Sequence, residues 1–262
     1  MITVGIDEVG YGPWLGPLVV AAVAADAPLR CPHVIADSKE VFTQAKGPAC
    51  LEPAVLGLVP ATSFRELLWR LGTTCPAAPW YKGDVDFPAR PFYPGVRGAW
   101  ATVVDPLDFN RRLKRRNKSE VLFELAAGLI NRIRAELPAP LRIIAGKHGG
   151  RHFYRDGLRR RVSRELRVRA ETPTRSAYEI PGASIDFLMD AERRHELVAL
   201  ASMVGKYVRE RAMGMFNAWW LERVEGLKPT AGYGADGRRF WRQISRTARR
   251  LGVKAEAVVR SR

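Results

Sequence analysis

The stretch Gly5-Ile6-Asp7-Glu8-Val9-Gly10-Tyr11-Gly12-Pro13-Trp14-Leu15-Gly16-Pro17-Leu18-Val19-Val20-Ala21-Ala22 decides how the chain is read. It joins a short β-prone segment, Met1 to Ile6, to a second, Leu18 to Ala25, through a connection punctuated by Gly10, Gly12, Pro13, Gly16 and Pro17. The pattern predicts a hairpin-like opening. Asp7 and Glu8 stand at the first strand's end, directly before Gly10-Tyr11-Gly12, where α/β proteins place ligand-contacting residues. An acidic pair at a bend is also an ordinary surface turn, so its meaning depends on the rest of the chain.

Outward from this stretch, helical and extended patterns alternate. Ser63 to Leu71 carries Phe64, Leu67, Leu68 and Leu71 at the spacing of a helix face, and the Pro- and Gly-rich run from Cys75 to Gly98 reads as an irregular insertion. Ala99 to Val104 returns to strand character. Ser119 to Leu137 predicts a helix with Leu122, Leu125, Leu129, Ile133 and Leu137 on one stripe, ended by Pro138. Leu141 to Ala145 is the next strand, followed by the loop Gly146-Lys147-His148-Gly149-Gly150. His195 to Trp220 is the strongest helix, because Leu197, Ala201, Val204, Val208, Met215 and Trp219 keep a 3.6-residue rhythm. The order of elements predicts an α/β sandwich.

Composition narrows the partner. Forty-three Lys and Arg oppose 27 Asp and Glu, a net charge of +16, which suits a polyanion. Nucleic acid leads that group, with an RNA-structure binder, a ribosome-associated factor and a membrane-surface protein as alternatives. The basic residues concentrate in two places: ten Lys or Arg against two acids from Arg142 to Arg169, and nine against one from Arg238 to Arg262. The second reads as a helical appendage with a cationic face. The apolar run Pro17 to Ala25 is too short to span a bilayer and follows an acidic pair, so neither a membrane segment nor a signal peptide is expected. Cys31, Cys50 and Cys75 fit neither a zinc knuckle nor a disulfide framework, which points to a reducing, cytoplasmic location.

The string Gly5 to Ala22 closely resembles the opening of ribonucleases HII and HIII. Three further blocks follow in that family's order: Asp37-Ser38-Lys39; Ala199-Leu200-Ala201-Ser202-Met203-Val204-Gly205-Lys206-Tyr207-Val208-Arg209-Glu210; and Gly232-Tyr233-Gly234. The resemblance implies a ribonuclease H-like α/β fold with a central mixed five-stranded sheet flanked by helices. It implies a catalytic domain over 1–222, with the irregular insertion at about 75–98, and a basic C-terminal helical extension over 223–262. The implied activity is hydrolysis of the RNA strand of an RNA/DNA hybrid, or of ribonucleotide-containing duplex DNA, by water activated between two divalent ions, Mg²⁺ or Mn²⁺. Hard cations need oxygen ligands, and several carboxylates must converge to hold two of them. The chain is expected to act as a monomer.

Carried over residue by residue, the resemblance makes Asp7, Glu8 and Glu192 the catalytic metal ligands, Asp7 bridging the two ions. Glu192 matches ribonuclease HIII, where ribonuclease HII has Asp. It assigns nucleic-acid contacts to Gly10, Tyr11, Gly12, Lys39 and Tyr233, the last stacking on a sugar or, on a plainer reading, packing in the core. Lys206 in the long helix is a further candidate. Asn117 and Lys118, at a helix start, offer donors for a phosphate, although capping alone explains the neighbouring Ser119 equally well.

Two departures stand out. The family's third acid ends the strand at Leu141 to Ala145, yet the chain reads Ala145-Gly146-Lys147, so that position is vacant at Gly146, or at Ala145 in the neighbouring register. Asp156 and Asp190 are nearby acids at unmatched positions. Ribonuclease HII also has Gly-Arg-Gly where this chain has Gly10-Tyr11-Gly12, which weakens the expectation of selectivity for a single embedded ribonucleotide. Alternatives to the nuclease are a hybrid-binding protein without turnover and a nuclease acting on another structured DNA.

Overall fold

The computed structural model describes residues 1–26, 35–36, 38–43, 45–90, 92 and 94–261, apart from the Lys39 side chain. Asp37, Cys31 and the Lys39 side chain therefore lie outside the described residues.

The strands are β1 (Ile2–Val9), β2 (Leu18–Ala25), β3 (Val96–Val104), β4 (Leu141–Gly146), β5 (Arg167–Glu171), β6 (Arg175–Ile180) and β7 (Ala183–Leu188). They form one mixed sheet in the order β3-β2-β1-β4-β7-β6-β5. The sheet thus has seven strands, not the five expected. The additional strands come from 167–188, where Arg and Glu on the open faces mask the alternation; Arg169 pairs with Glu179 at 2.7 Å and Arg175 with Asp186 at 2.9 Å. Within β7 only Ala183, Ile185 and Phe187 turn inward.

β1 and β2 form the antiparallel opening, and β1 runs on to Val9, so Asp7 and Glu8 lie inside the strand opposite Ala21 and Val20. β1 then pairs in parallel with β4, and β4 in parallel with β7. Three adjacent strands consequently end at the same edge of the sheet, the position at which open α/β sheets gather ligands.

The helices are α1 (Ser38–Val41), α2 (Glu52–Leu58), α3 (Phe64–Arg70), α4 (Pro106–Leu113), α5 (Lys118–Glu136), α6 (Arg155–Arg161), α7 (Ala191–Arg194), α8 (Glu196–Leu221) and α9 (Gly234–Arg250). Alternate residues of the buried strand β2 feed two cores. Leu18, Val20, Ala22 and Ala24 pack with Ile2, Val4 and Ile6 against α5, while Val19, Ala21 and Val23 pack against α8. α5 begins at a capping box in which Asn117 accepts from the Glu120 amide and Glu120 accepts from the Asn117 amide. The irregular region after Cys75 is anchored by Trp80, Tyr81 and Phe87, all buried in the α8 core. Phe240, Ile244 and Ala248 of α9 and Val258 join that same core.

α8 lies so close to β1 that only a glycine fits beneath it. A Cβ on Gly5 would stand 2.2 Å from the Leu197 carbonyl carbon and 2.3 Å from the Val198 nitrogen. Backbone cannot step aside as a flexible side chain does, so overpacking here shifts the helix. Gly5→Ala is expected to lower stability by about 2 kcal/mol or more, read as a fall in the urea midpoint; an unchanged midpoint would mean that α8 is not seated on β1.

Candidate active site

At the common end of β1, β4 and β7 a cleft of about 570 Å³ is lined by Asp7 and Glu8 from β1, Gly146 at the end of β4 and Lys147 after it, Met189 and Asp190 after β7, and Glu192 on α7. Gly10, Tyr11 and Gly12 form one wall; Ser38, Phe42, Ser202 and Lys206 form another; Tyr233 closes the rim. The sequence blocks that lie far apart in the chain therefore meet here. Ser38 and Ser202 are hydrogen-bonded through their hydroxyls at 2.9 Å, joining α1 to α8.

Each wall has a physical basis. Gly10 has φ +86°, and a Cβ there would meet the Arg209 Nε and the Pro17 carbonyl at 2.7 Å each, so no other residue fits the turn without strain. Gly12 opens onto free space. The Tyr11 ring is half-buried, carries Lys118 Nζ 4.7 Å from its centroid, and has its hydroxyl pKa raised first by burial and then by Glu8. Tyr233 is 46 % exposed, which excludes the buried-core reading, and Arg209 lies over its ring at 5.3 Å. Lys206 donates to Glu210 at 2.8 Å and sits 4.1 Å over the Phe42 ring. Lys118 thus reaches the cleft through Tyr11, whereas the side-chain oxygen of Asn117 is engaged in the cap.

Of the two basic segments, 142–169 reaches the cleft through Gly146, Lys147 and Gly149; among the described residues 238–262 contributes none of its lining, and α9 instead leads away from Tyr233. The Lys147 ammonium donates to the Thr172 carbonyl at 2.6 Å and the Ser176 hydroxyl at 3.1 Å.

No protein-family model matches the sequence, and no curated protein sequence matches it. Solved structures do. The ribonuclease HII of Archaeoglobus fulgidus, solved in a complex with PCNA, superposes with a TM-score of 0.51 at 20% identity, covering 100% of this chain and 95% of that one. The ribonuclease H2 of Pyrococcus horikoshii OT3 gives 0.58 at 17% identity, covering 98% and 92%. Bst-RNase HIII in complex with Mn²⁺ gives 0.51 at 23% identity; 99% of this chain aligns, spanning 66% of that one. The chain has the type 2 ribonuclease H fold.

Within that fold Ala145 and Gly146 face opposite ways. Ala145 is buried in the α5 core on the opposite face of β4, so Gly146 is the residue that faces the acids. A Cβ on Gly146 would stand 3.4 Å from Asp7 Oδ1 and 3.9 Å from Glu8 Oε2, ordinary contact distances. A Cβ is therefore sterically admissible beside the carboxylates. The donors present, carboxylate oxygens, suit a hard divalent cation. Among the described residues no three His, Cys, Asp or Glu side chains gather closely enough to hold an ion in this arrangement. Asp156 is exposed on α6 beside Arg155 and away from the cleft lining. Asp190 does line the cleft, in the left-handed conformation at φ 52°.

Sequence reasoning missed one structural residue near this floor. His148 is buried among Phe123, Tyr154 and Phe187, and burial, with Arg151 adding to it, pushes its pKa from 6.5 down to about 3. The ring is thus neutral in the fold and must take up a proton on unfolding in mild acid. Its contribution is complete above pH 6.5 and is lost as pH falls towards 3, with a slope of up to about 1.4 kcal/mol per pH unit. His148→Phe is expected to flatten the stability difference between neutral and mildly acidic solution, measured by urea unfolding; an unaltered pH slope would place that proton elsewhere.

Proposed function

We propose that this chain is an RNA/DNA-hybrid-directed endonuclease that acts on the RNA strand, with turnover held low by the glycine at position 146. The observation that carries the reading is the convergence of Asp7, Glu8 and Glu192 on one cleft at the shared end of three parallel strands. Tyr11 and Tyr233 offer ring faces to sugars or bases, and the Gly10-Tyr11-Gly12 backbone lies open to a 2′-hydroxyl. Type 2 ribonuclease H relatives supply the substrate class, and the Mn²⁺ bound to Bst-RNase HIII supports a divalent ion as cofactor. Asp7, Glu8 and Glu192 are the acids that would hold such an ion.

A second reading, a hybrid-binding protein without turnover, is favoured by one observation. Gly146 brings no carboxylate beside Asp7 and Glu8 where the resemblance calls for an acid, although a Cβ would fit there. The two readings share a binding surface and differ only in this position. Gly146→Asp is therefore expected to raise hybrid cleavage in Mg²⁺ or Mn²⁺ by at least ~10²-fold without tightening hybrid binding, since a placement error in the reacting groups alone costs that much. If the unmodified chain already cleaves at a rate that the substitution leaves unimproved, the site is not depleted and another acid, Asp190 first, completes it.

Binding itself rests on charge. Arg238, Arg242 and Arg246 are exposed on α9 at four-residue spacing, one face of a helix that starts at the cleft rim. Neutralising about four phosphates makes duplex affinity fall roughly 10²-fold between about 50 and 200 mM salt. Fluorescence anisotropy on a labelled hybrid reads this slope, and a flat response would remove the basic segments from the interface.

A further inference from the structure

The cleft wall made by Gly10-Tyr11-Gly12 belongs to the connection between β1 and β2, and that connection is fastened from a distant part of the chain. Arg260 is 2 % exposed, and its guanidinium donates to the Gly10 carbonyl at 2.6 Å and to the Gly16 carbonyl at 2.8 Å. These two glycines are the left-handed residues of the connection, at φ +86° and +81°. A planar guanidinium therefore grips the loop at the two points where its backbone is freest to swing. The grip is reinforced: the Arg260 amide donates to the Trp14 carbonyl at 2.9 Å, and Leu15 bridges to Val259.

The strap has its own anchor. The Asn110 amide on α4 donates to the carbonyls of Glu256 and Val259 at 2.9 and 2.7 Å, and its oxygen accepts from the Ser261 amide at 2.7 Å. On the other side Arg209 of α8 donates to the Ala231 carbonyl at 3.0 Å, while the Gly232 carbonyl accepts from the Trp14 amide at 2.7 Å. The loop that carries Tyr11 and the segment that carries Tyr233 are thus tied together. The Arg260 guanidinium lies 5.1 Å over the Phe109 ring of α4, and its Nη2 is buried without a hydrogen bond. Burying a cation against two carbonyls and one ring face is expensive.

We propose that Arg260 is a positioning residue for the cleft, locking both ends of the Gly10–Gly16 loop so that the Gly10-Tyr11-Gly12 backbone meets a hybrid duplex in one conformation. The proposal rests on the nucleic-acid reading of the cleft, and its test separates the two. Arg260→Gln and, as an independent way to release the strap, Asn110→Ala would be made in the full chain. Hydrogen exchange would be followed at residues 10–16 and in α8. Affinity would be measured without divalent ions for an RNA/DNA hybrid and for a DNA duplex of the same sequence. Losing charge-assisted hydrogen bonds to two carbonyls should speed exchange at 10–16 by about tenfold or more and weaken hybrid binding by about tenfold. Exchange in α8 should not change, and affinity for the DNA duplex should fall less. Arg260→Lys, which keeps the charge and loses the fork, should recover only part of the hybrid preference.

Unchanged loop exchange and unchanged hybrid preference in both variants would overturn the proposal, as would exchange in α8 that rises in step with the loop. If the unmodified protein shows no preference for the hybrid, the functional reading fails instead, and the loop exchange alone then decides whether Arg260 positions the loop.

Discussion

The seating of α8 on β1 is the constraint on which the rest of the molecule depends. The helix backbone comes down onto Gly5 closely enough that a methyl group would collide with the Leu197 carbonyl. The same approach continues at the far end of the pair, where a Cβ on Gly205 would meet Val9 at 3.0 Å. This contact brings Ser202 and Lys206 over the acids of β1 and directs Arg209 at the connection that follows the strand. A wider spacing would leave the two halves of the cleft on separate surfaces. Dense packing transmits position, so a cleft residue is held by contacts several turns away.

Around that contact, glycines mark both what the site requires and what it lacks. At Gly10 the backbone turns through a region that L side chains rarely adopt, with Arg209 filling the space a side chain would need. At Gly146 no such demand exists: its φ is ordinary and a Cβ has room. Conformational need therefore explains Gly10 and leaves Gly146 unexplained. The consequence at Gly146 is electrostatic, since an anion there would face Asp7 and Glu8 and raise the demand for a compensating cation.

Charge is distributed in two roles. Exposed arginines on α6 and α9 are available to a polyanion, whereas Arg209 and Arg260 are buried and bind backbone carbonyls. The buried pair repel one another, and Arg209 is one of the causes that lower the Arg260 pKa, behind burial itself. A total of +16 thus conceals a division between cations that can meet a partner and cations that shape the wall it would meet.

By itself the sequence determined the elements whose apolar rhythm is strong. The hairpin opening, the stripe of α5 and the long helix α8 were all legible, because burial on one face imposes a period on the residues. The four motif blocks also pointed to residues that line the cleft, and Gly146 stood out where the resemblance calls for an acid. The strands β5 to β7 were not legible, because ion pairs of Arg with Glu or Asp on their open face, Arg169–Glu179 and Arg175–Asp186, hide a period of two. Only the tertiary structure decided that Gly146 and not Ala145 faces the acids, since a one-residue shift in a strand reverses its faces. It alone showed that Tyr233 is exposed and that Asn117 caps a helix. It alone brought Arg260 to Gly10, a hydrogen bond across 250 residues that leaves no local pattern in the chain.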